Sequence, residues 1–303
     1  MDARSEIGEF LTTRRDRLTP AQAGLPDFGG RRRVKGLRRE EVALLAGMST
    51  EYYTRLERGN AAGVSEAILE GISRALHLDA AEHAHLFDLV RNAGAGVTRQ
   101  RRRPAARAVT VRPSLQQTLD AMETVPAVIQ NARLDLVATN PMGRALFAEQ
   151  FDMPERPANA ARYLFLDPRA HDFFDDRART VLQTVAALRI EAGRSPYDRA
   201  LSDLIGELST RSEEFRTVWA SHDVREHVTG TKRLHHRIVG ELDLTYEVMR
   251  IASDGLGLVV YTAAAGSPSH DGLKLLATWV ATTSLHEQSP VPQSPRSDPR
   301  DPS

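Results

Sequence analysis

The stretch RREEVALLAGMSTEYYTRLERG, residues 38–59, decides how the first part of this chain folds. Ala43 places a small side chain where two helices would cross closely. Gly47 stands where a tight turn needs a positive φ, which glycine adopts without a steric penalty. Ser49 is suited to cap the following helix, which should end before Gly59. The spacing therefore predicts two short helices joined by a tight turn.

The second of these helices has two faces of different character. Three apolar or aromatic residues are spaced to pack inward: Met48, Tyr53 and Leu56. The outer face then carries Thr50, Glu51, Tyr52 and Arg55. In a helix-turn-helix, side chains near the N-terminal end of this helix read base edges in the major groove. A generic helical hairpin is the structural alternative, but the whole pattern and its Leu-Glu-Arg-Gly ending favour DNA recognition.

Further helices are predicted on both sides of the pair. Apolar residues fall near one face over residues 7–18, and Ser65 caps a helix with an apolar stripe. Asp79 caps another, with Glu82 three residues on in the capping-box position. We therefore expect a compact, all-α, five-helix domain over residues 1–92.

Residues 7–90 resemble the XRE-type, or lambda-repressor-like, helix-turn-helix domains of bacterial regulators. The resemblance implies that Arg39 bonds a DNA phosphate, while Thr50, Glu51 and Arg55 face bases. This sequence differs from the simplest family members in having a longer, strongly basic loop before the helix pair. We expect phosphate contacts, which supply grip rather than sequence choice, from Arg31, Arg32, Arg33, Lys35, Arg38 and Arg39.

Length and composition fit a chain of two globular domains. The 303 residues are 41% hydrophobic and 26% charged, and cysteine is absent, which excludes disulfides and thiol chemistry. No apolar run approaches the about eighteen residues of a membrane span, and the N-terminus lacks the pattern of a secretory signal. We expect a cytoplasmic protein without membrane contact.

Charge is distributed unevenly along the chain although the formal net charge is zero. Residues 1–112 hold 20 Lys and Arg against 14 Asp and Glu, a balance of +6, and residues 113–303 hold 20 against 26, a balance of −6. Only the first part is therefore expected to face nucleic acid. Residues 93–112, rich in arginine and interrupted by glycine and proline, are predicted to form a basic linker.

A second domain of mixed α and β structure is predicted over residues 113–284, followed by a proline-rich, disordered tail at 285–303. Short strands are expected at 127–131 and 134–139, and three more at 231–236, 241–251 and 257–264. Helical patterns dominate from 171 to 219, and a last helix is expected at 271–281. The fold class is therefore an all-α DNA-binding domain joined to an α+β domain.

Several pieces of the second domain, among them QNARLDLVATNP at 130–141, NAARYLFLDP at 159–168 and SEEFRTVWASHDV at 212–224, resemble the MmyB-like ligand-binding domain. That family joins a PAS-like sheet and helices to an XRE-type domain. The resemblance, over about residues 113–281, implies a sensor domain with an apolar cavity between sheet and helices.

Aromatic and polar side chains are the candidates for lining that cavity. Any single aromatic residue is better explained as ordinary core, and an isolated histidine or arginine is more often a structural hydrogen-bonding group. The first choice for gripping a carboxylate is Arg162, with His235 and His236 as further polar candidates. The predicted ligand pocket comprises Phe147, Arg162, Tyr163, Phe173, Phe174, Phe215, Trp219, His222, Tyr246 and Tyr261.

These features predict a transcriptional regulator that binds an inverted-repeat operator in double-stranded DNA as a homodimer. They also predict that it binds a small apolar or amphipathic ligand, for example a fatty-acid-like molecule. An enzyme domain is one alternative, but no phosphate loop, H-E-x-x-H pair or G-x-S-x-G elbow is present. We therefore predict no catalytic residues, no metal and no cofactor. A second domain that only dimerises or docks a protein partner is the other alternative.

Overall fold

The computed structural model describes residues 3–26, 34, 36–94, 111–221, 229–251 and 255–288. In the described residues up to Gly94, five helices form the first domain and confirm the expected all-α fold. They are α1 (Ala3–Arg17), α2 (Arg39–Ala46), α3 (Thr50–Glu57), α4 (Glu66–Ala75) and α5 (Ala80–Gly94).

Local capping explains where these helices begin and end. Gly47 closes α2 with a φ of 69°, the left-handed conformation expected for the turn. The Oγ of Ser49 accepts a hydrogen bond from the Tyr52 amide at 3.1 Å. Asp79 and Glu82 form a reciprocal capping box, in which each side chain accepts from the other residue's backbone N–H at 2.9 and 3.1 Å.

Burial of one face from each helix holds α3 in place. Tyr53 and Leu56 of α3 are buried against Phe10 of α1 and Val42 of α2, in one cluster that also contains Leu86 of α5. Each such side chain contributes about 1.5–3 kcal/mol when it is fully buried. Since these contacts come from the inward face of α3, its opposite face stays at the surface.

The second domain alternates helices and strands in the order expected for an α+β fold, which is confirmed. Its described elements are α6 (Pro113–Asp120), β1 (Ala127–Asn131), β2 (Leu136–Thr139), α7 (Pro141–Leu146), α8 (Ala148–Phe151), α9 (Ala160–Leu166), α10 (Ala170–Phe173), α11 (Arg177–Arg194), α12 (Arg199–Arg211), α13 (Glu213–Ala220), β3 (Thr229–His236), β4 (Gly240–Ile251), β5 (Leu256–Thr262) and α14 (Pro268–Gln288).

Across the described residues of this domain, one antiparallel sheet has the strand order β2-β1-β5-β4-β3. The two faces of the sheet are covered differently. On one face, Ala127 and Ile129 of β1 pack with Leu119 of α6. On the other, Val128 and Tyr246 join the large core formed with the remaining helices. That second face carries the candidate site.

Element boundaries differ from the predicted ones where local geometry intervenes. Strand β1 has the predicted bounds, but β2 begins at Leu136 instead of residue 134, because Leu134 adopts a φ of 65° in the turn. The helical pattern over residues 115–122 corresponds to α6, which begins earlier, at Pro113, since proline suits a first helical turn. Helix α14 runs to Gln288, beyond the predicted start of the tail at 285, and residues 289–303 lie outside the described part.

The two domains also contact each other directly, through α11. Ile190 of α11 is buried in the core cluster of the first domain. The Asn92 side chain of α5 donates to the Gly193 carbonyl at 2.6 Å. A Cβ at Gly193 would lie 2.6 Å from the His85 ring, so only glycine allows this close approach. Helix α11 is thus shared by both domains, whereas residues 95–110 of the predicted linker lie outside the described part.

Candidate functional site

The outer face of α3 carries the four residues that were predicted to read bases. Thr50, Glu51 and Arg55 are exposed and Tyr52 is half-buried. The Arg55 guanidinium lies over the Tyr52 ring, 4.6 Å from its centroid, which holds the arginine against the helix surface. The structure therefore brings all four side chains to one accessible face.

Behind this face, the buried carboxylate of Glu57 binds two arginines. Its Oε1 accepts from Arg15 Nε at 2.6 Å and its Oε2 from Arg39 Nε at 2.5 Å. The Arg39 side chain is 53% exposed, and Arg38 is exposed beside it. Both therefore remain accessible for the phosphate contacts predicted for them. The other predicted phosphate contacts, Arg31, Arg32, Arg33 and Lys35, lie outside the described residues.

The second domain contains a cavity of about 740 Å³ between the sheet and α11. Its volume falls within the range of small-molecule sites, which is about 300–1,000 Å³. The sheet contributes Val128, Val259, Tyr261, Tyr246 and Lys232, and α11 contributes Thr180, Gln183, Ala187, Ile190 and Arg194. Phe147, Phe174 and Leu164 add further apolar surface.

Charged residues at the two ends of α11 lie near different residues of β4, and these neighbours identify the two ends of the cavity. Arg179, at the start of α11, acts on Tyr246 of β4, whose pKa is raised by burial and lowered to a smaller extent by this arginine. At the other end, Arg194 and Glu191 act on Arg250, whose pKa is lowered first by burial and then by Arg194. The cavity therefore extends from a Lys232 end, beside Tyr246, to an Arg250 end.

Lys232 lies in the cavity between two aromatic rings. Its Nζ is 5.4 Å from the ring centroid of Tyr246 and 5.8 Å from that of Phe174. Burial lowers the pKa of Lys232 to about 8. Among the residues that the structure describes, none places a carboxylate within ion-pair distance of this amine. A charged donor in the cavity, next to two aromatic rings, is therefore available to a ligand.

Two kinds of polar group accompany the lysine. The Gln183 side chain is 9% exposed, and its Nε2 has no hydrogen-bond partner within the described parts of the chain. The phenols of Tyr246 and Tyr261 also line the cavity, and burial raises the pKa of both. These groups can donate hydrogen bonds, and the tyrosines stay protonated near neutral pH.

At the Arg250 end, the arginines already have carboxylate neighbours. Arg133 donates to Asp135 and Asp198, each at 3.1 Å. Arg194 lies 3.7 Å from Asp88 of α5. Glu191 also acts on Arg250, so each of these three rim arginines has a carboxylate acting on it.

Four of the predicted pocket residues line the cavity: Phe147, Phe174, Tyr246 and Tyr261. Tyr163 and Phe173 instead pack behind Phe147, around a separate small void. The proposed anchor Arg162 points elsewhere and donates to Glu207 at 2.8 Å. His236 is buried with its Nε2 3.2 Å from the Ala145 carbonyl, His235 is exposed, and His222 lies outside the described residues.

Phe215 and Trp219 lie on the far side of α11, toward the first domain. Trp219 stacks on Phe215, with centroids 5.4 Å apart, and supports the guanidinium of Arg189, 4.1 Å above its ring. Arg189 is fully buried and donates to the Trp219 carbonyl and to the Glu6 carboxylate of α1. Burial lowers the pKa of Arg189 and raises the pKa of Glu6. One ion pair thus joins the domains across a desolvated interface.

Lys232 and Gln183 were missed by the sequence reasoning. The strand over 231–236 was predicted, and period-2 alternation would have placed Lys232 on the same face as the buried Leu234. A lysine at an inward position is the signal that was available. Gln183 had no comparable signal, because its helix is buried on several sides.

Comparison with known families agrees with this architecture. A family model described as a helix-turn-helix domain matches residues 6–86, and one described as the MmyB-like transcription regulator ligand binding domain matches residues 111–276. A comparison with curated proteins finds no match. None of the described helices combines the length and apolar character needed to cross a bilayer. The chain belongs to the MmyB-like ligand-binding-domain family and is a DNA-binding transcription regulator with an N-terminal helix-turn-helix domain.

Proposed function

We propose that this regulator binds an inverted-repeat operator as a homodimer, and that a small apolar or amphipathic molecule in the cavity changes its affinity for DNA. The observation that carries the proposal is the double role of α11. Thr180, Gln183 and Ala187 line the cavity, while Arg189 of the same helix bonds α1 of the DNA-binding domain. Ile190 contacts both the cavity and the first domain's core.

The proposed DNA contacts follow from the exposed face of α3. Arg55 is suited to bond a guanine bidentately, while Arg38 and Arg39, with the basic loop before them, hold phosphates. A single reading helix covers only a few base pairs, too few for specificity in a genome. A two-fold dimer supplies a second half-site about 34 Å away, one turn of DNA. Such a protein acts in the cytoplasm, where the chromosome is accessible.

The cavity suits a ligand that is mainly apolar. Its walls from Val128, Phe147, Leu164 and Val259 bury hydrocarbon, which contributes about 25 cal/mol for each Å² removed from water. Micromolar affinity corresponds to about 8 kcal/mol, which a few hundred Å² of such contact can supply. The fatty-acid-like ligand predicted from the sequence is one member of this class.

Binding changes DNA affinity only if the ligand prefers one arrangement of α11 over another. A tenfold change in operator affinity requires about 1.4 kcal/mol of that preference. Since α11 is packed against α5 and bonded to α1, a small displacement of its cavity face must be accommodated at the domain interface.

The test places a bulky side chain in the cavity and the same side chain outside it. Ala187→Phe fills the cavity from α11, and Leu182→Phe, at an exposed position of the same helix, is the matched control. Operator sites are first mapped across the genome, and compounds are extracted from the purified protein. Ala187→Phe should bind operator DNA but lose both the extracted compound and its effect.

Two outcomes of these experiments would contradict the proposal. If no small molecule that binds the wild-type protein alters its operator affinity, the sensor proposal is wrong. The second domain would then serve only in dimerisation or in docking a protein partner. If Ala187→Phe and Leu182→Phe respond to the compound alike, the cavity is not the binding site.

A further inference from the structure

We propose that Lys232, whose amine lies near the rings of Phe174 and Tyr246, is the residue that binds the anionic head of a hydrophobic organic acid in the cavity. This inference rests on the proposed function and specifies the ligand class of the same site. It assigns the head of the ligand to the Lys232 end, away from Arg162 and from the arginines at the Arg250 end.

The position of Lys232 follows from the register of the sheet. Residues 230, 232, 234 and 236 of β3 alternate toward the helix-covered face, and Leu234 and His236 of this set are buried. Lys232 pairs with Leu244 of β4, whose neighbour on the same face is Tyr246. The lysine is therefore directed to the cavity by the same alternation that buries the core.

A lysine in such surroundings has an unfavourable free energy when it is charged and alone. Lys232 is half-buried, and even partial burial of a charge is costly unless the charge is paired. The rings of Phe174 and Tyr246 offset part of this cost through cation–π attraction. Within the described structure no carboxylate offsets the remainder, so a carboxylate supplied by a ligand would complete the pair.

Gln183 provides a second, independent observation. Gln183 lines the cavity, and its amide Nε2 is buried and has no partner among the described residues. A buried N–H donor left unbonded lowers stability, and an acceptor oxygen of a ligand would satisfy it. An amine and an amide N–H are both donors, so together they select for an acceptor-rich head such as a carboxylate and against a cationic one.

The arginines at the Arg250 end compete poorly for that head. Arg133 is held by Asp135 and Asp198, Arg194 lies near Asp88, and the carboxylate of Glu191 acts on Arg250. The cavity-lining part of α11 runs from Thr180 to Arg194, about 21 Å at 1.5 Å per residue. The apolar body of the acid would therefore extend from Lys232 along α11 toward the Arg250 end.

The experiment compares three probes that differ only in their head group: 6-phenylhexanoate, 6-phenylhexan-1-ol and 6-phenylhexylamine. Their affinities for the full chain are measured by calorimetry, with wild type, Lys232→Met and Arg162→Met. Methionine keeps much of the length of lysine, and Arg162→Met removes the charge of an arginine outside the cavity. Thermal unfolding without probe reports folding, and Lys232→Met should melt no lower than wild type.

Wild type should bind the acid about 10- to 100-fold more tightly than the alcohol, the range of a charge-assisted hydrogen bond, and the amine most weakly. Lys232→Met should bind acid and alcohol equally, and Arg162→Met should behave as wild type. Equal binding of acid and alcohol by wild type overturns the acid assignment but keeps an apolar ligand. An unchanged preference in Lys232→Met overturns the role of Lys232. Absence of binding by all three probes contradicts the acid assignment and the sensor proposal together.

Discussion

Replacing Arg189 with methionine would leave the Glu6 carboxylate in the domain interface without this guanidinium. The Arg189 side chain is fully buried and that of Glu6 is 9% exposed, so solvent screens the pair little. Removing one partner of a buried pair costs about 3–5 kcal/mol. For a protein of this size, each kcal/mol lost from the free energy of unfolding lowers the melting temperature by about 2–4 °C. We therefore expect Arg189→Met to lower the melting temperature by about 6–20 °C.

A neighbouring ion pair in the same interface is the matched control. Arg194 lies 3.7 Å from Asp88, and its side chain is 35% exposed. Such a partly solvated pair contributes about 0–1 kcal/mol, so Arg194→Met should shift the transition by only a few degrees. The double variant Glu6→Gln/Arg189→Met should recover much of the loss, because no carboxylate is then buried beside the methionine. Differential scanning calorimetry of all four proteins measures these shifts.

The pH dependence separates electrostatics from packing. Burial raises the pKa of Glu6 and Arg189 lowers it, so removing Arg189 raises it further. A carboxyl whose folded pKa is raised stabilises the protein fully at acid pH, and this contribution is lost as pH rises through the folded pKa. Arg189→Met should therefore approach wild-type stability toward pH 4 and fall away above it. An equal loss at every pH, or a loss no larger than in Arg194→Met, would refute the reasoning.

Three further predictions concern DNA, assembly and the cavity. Arg55→Ala should bind the operator about 1–3 kcal/mol more weakly and lose its preference at one base pair, whereas Arg38→Ala should weaken binding to all DNA sequences alike. Binding titrations at several salt concentrations distinguish the two variants. Sedimentation of the protein with operator should show two chains per inverted repeat, and a single chain would exclude the homodimer. Affinity for 6-phenylhexanoate should be constant near neutral pH, where the probe is ionised, and fall as pH rises through about 8 and Lys232 loses its proton, since burial keeps Tyr246 and Tyr261 protonated. Lys232→Met should show no such fall in calorimetric titrations.

The features that could be predicted from the sequence are those that depend on short-range chemistry. Gly47, Ser49 and the Asp79–Glu82 box act within four residues, so their types alone predicted the helix boundaries. The α3 face followed from a period of 3.6 residues, and β1 from a short apolar run. Such signals need no knowledge of distant parts of the chain.

The features that could not be predicted depend on distant partners. Arg162 suits a carboxylate ligand by its chemistry, but it bonds Glu207, 45 positions away. Glu6 and Arg189 are 183 positions apart, and no periodicity connects them. The same holds for Trp219, an aromatic expected in the pocket that instead supports Arg189 at the domain interface. Aromatic type predicted burial here, but not which of two buried surfaces the ring would join.

The two oxygens of Glu57 have a consequence for the energy of DNA binding. In the unbound protein, one carboxylate oxygen of Glu57 binds the guanidinium of Arg39, as a phosphate oxygen of DNA could, and the Arg39 side chain stays partly exposed. If Arg39 binds a DNA phosphate as proposed, Glu57 still holds Arg15 on its other oxygen, so the buried carboxylate keeps a counterion. The exchange would replace one anion with another at the same arginine, so binding and release of DNA would leave the Glu57–Arg15 pair in place.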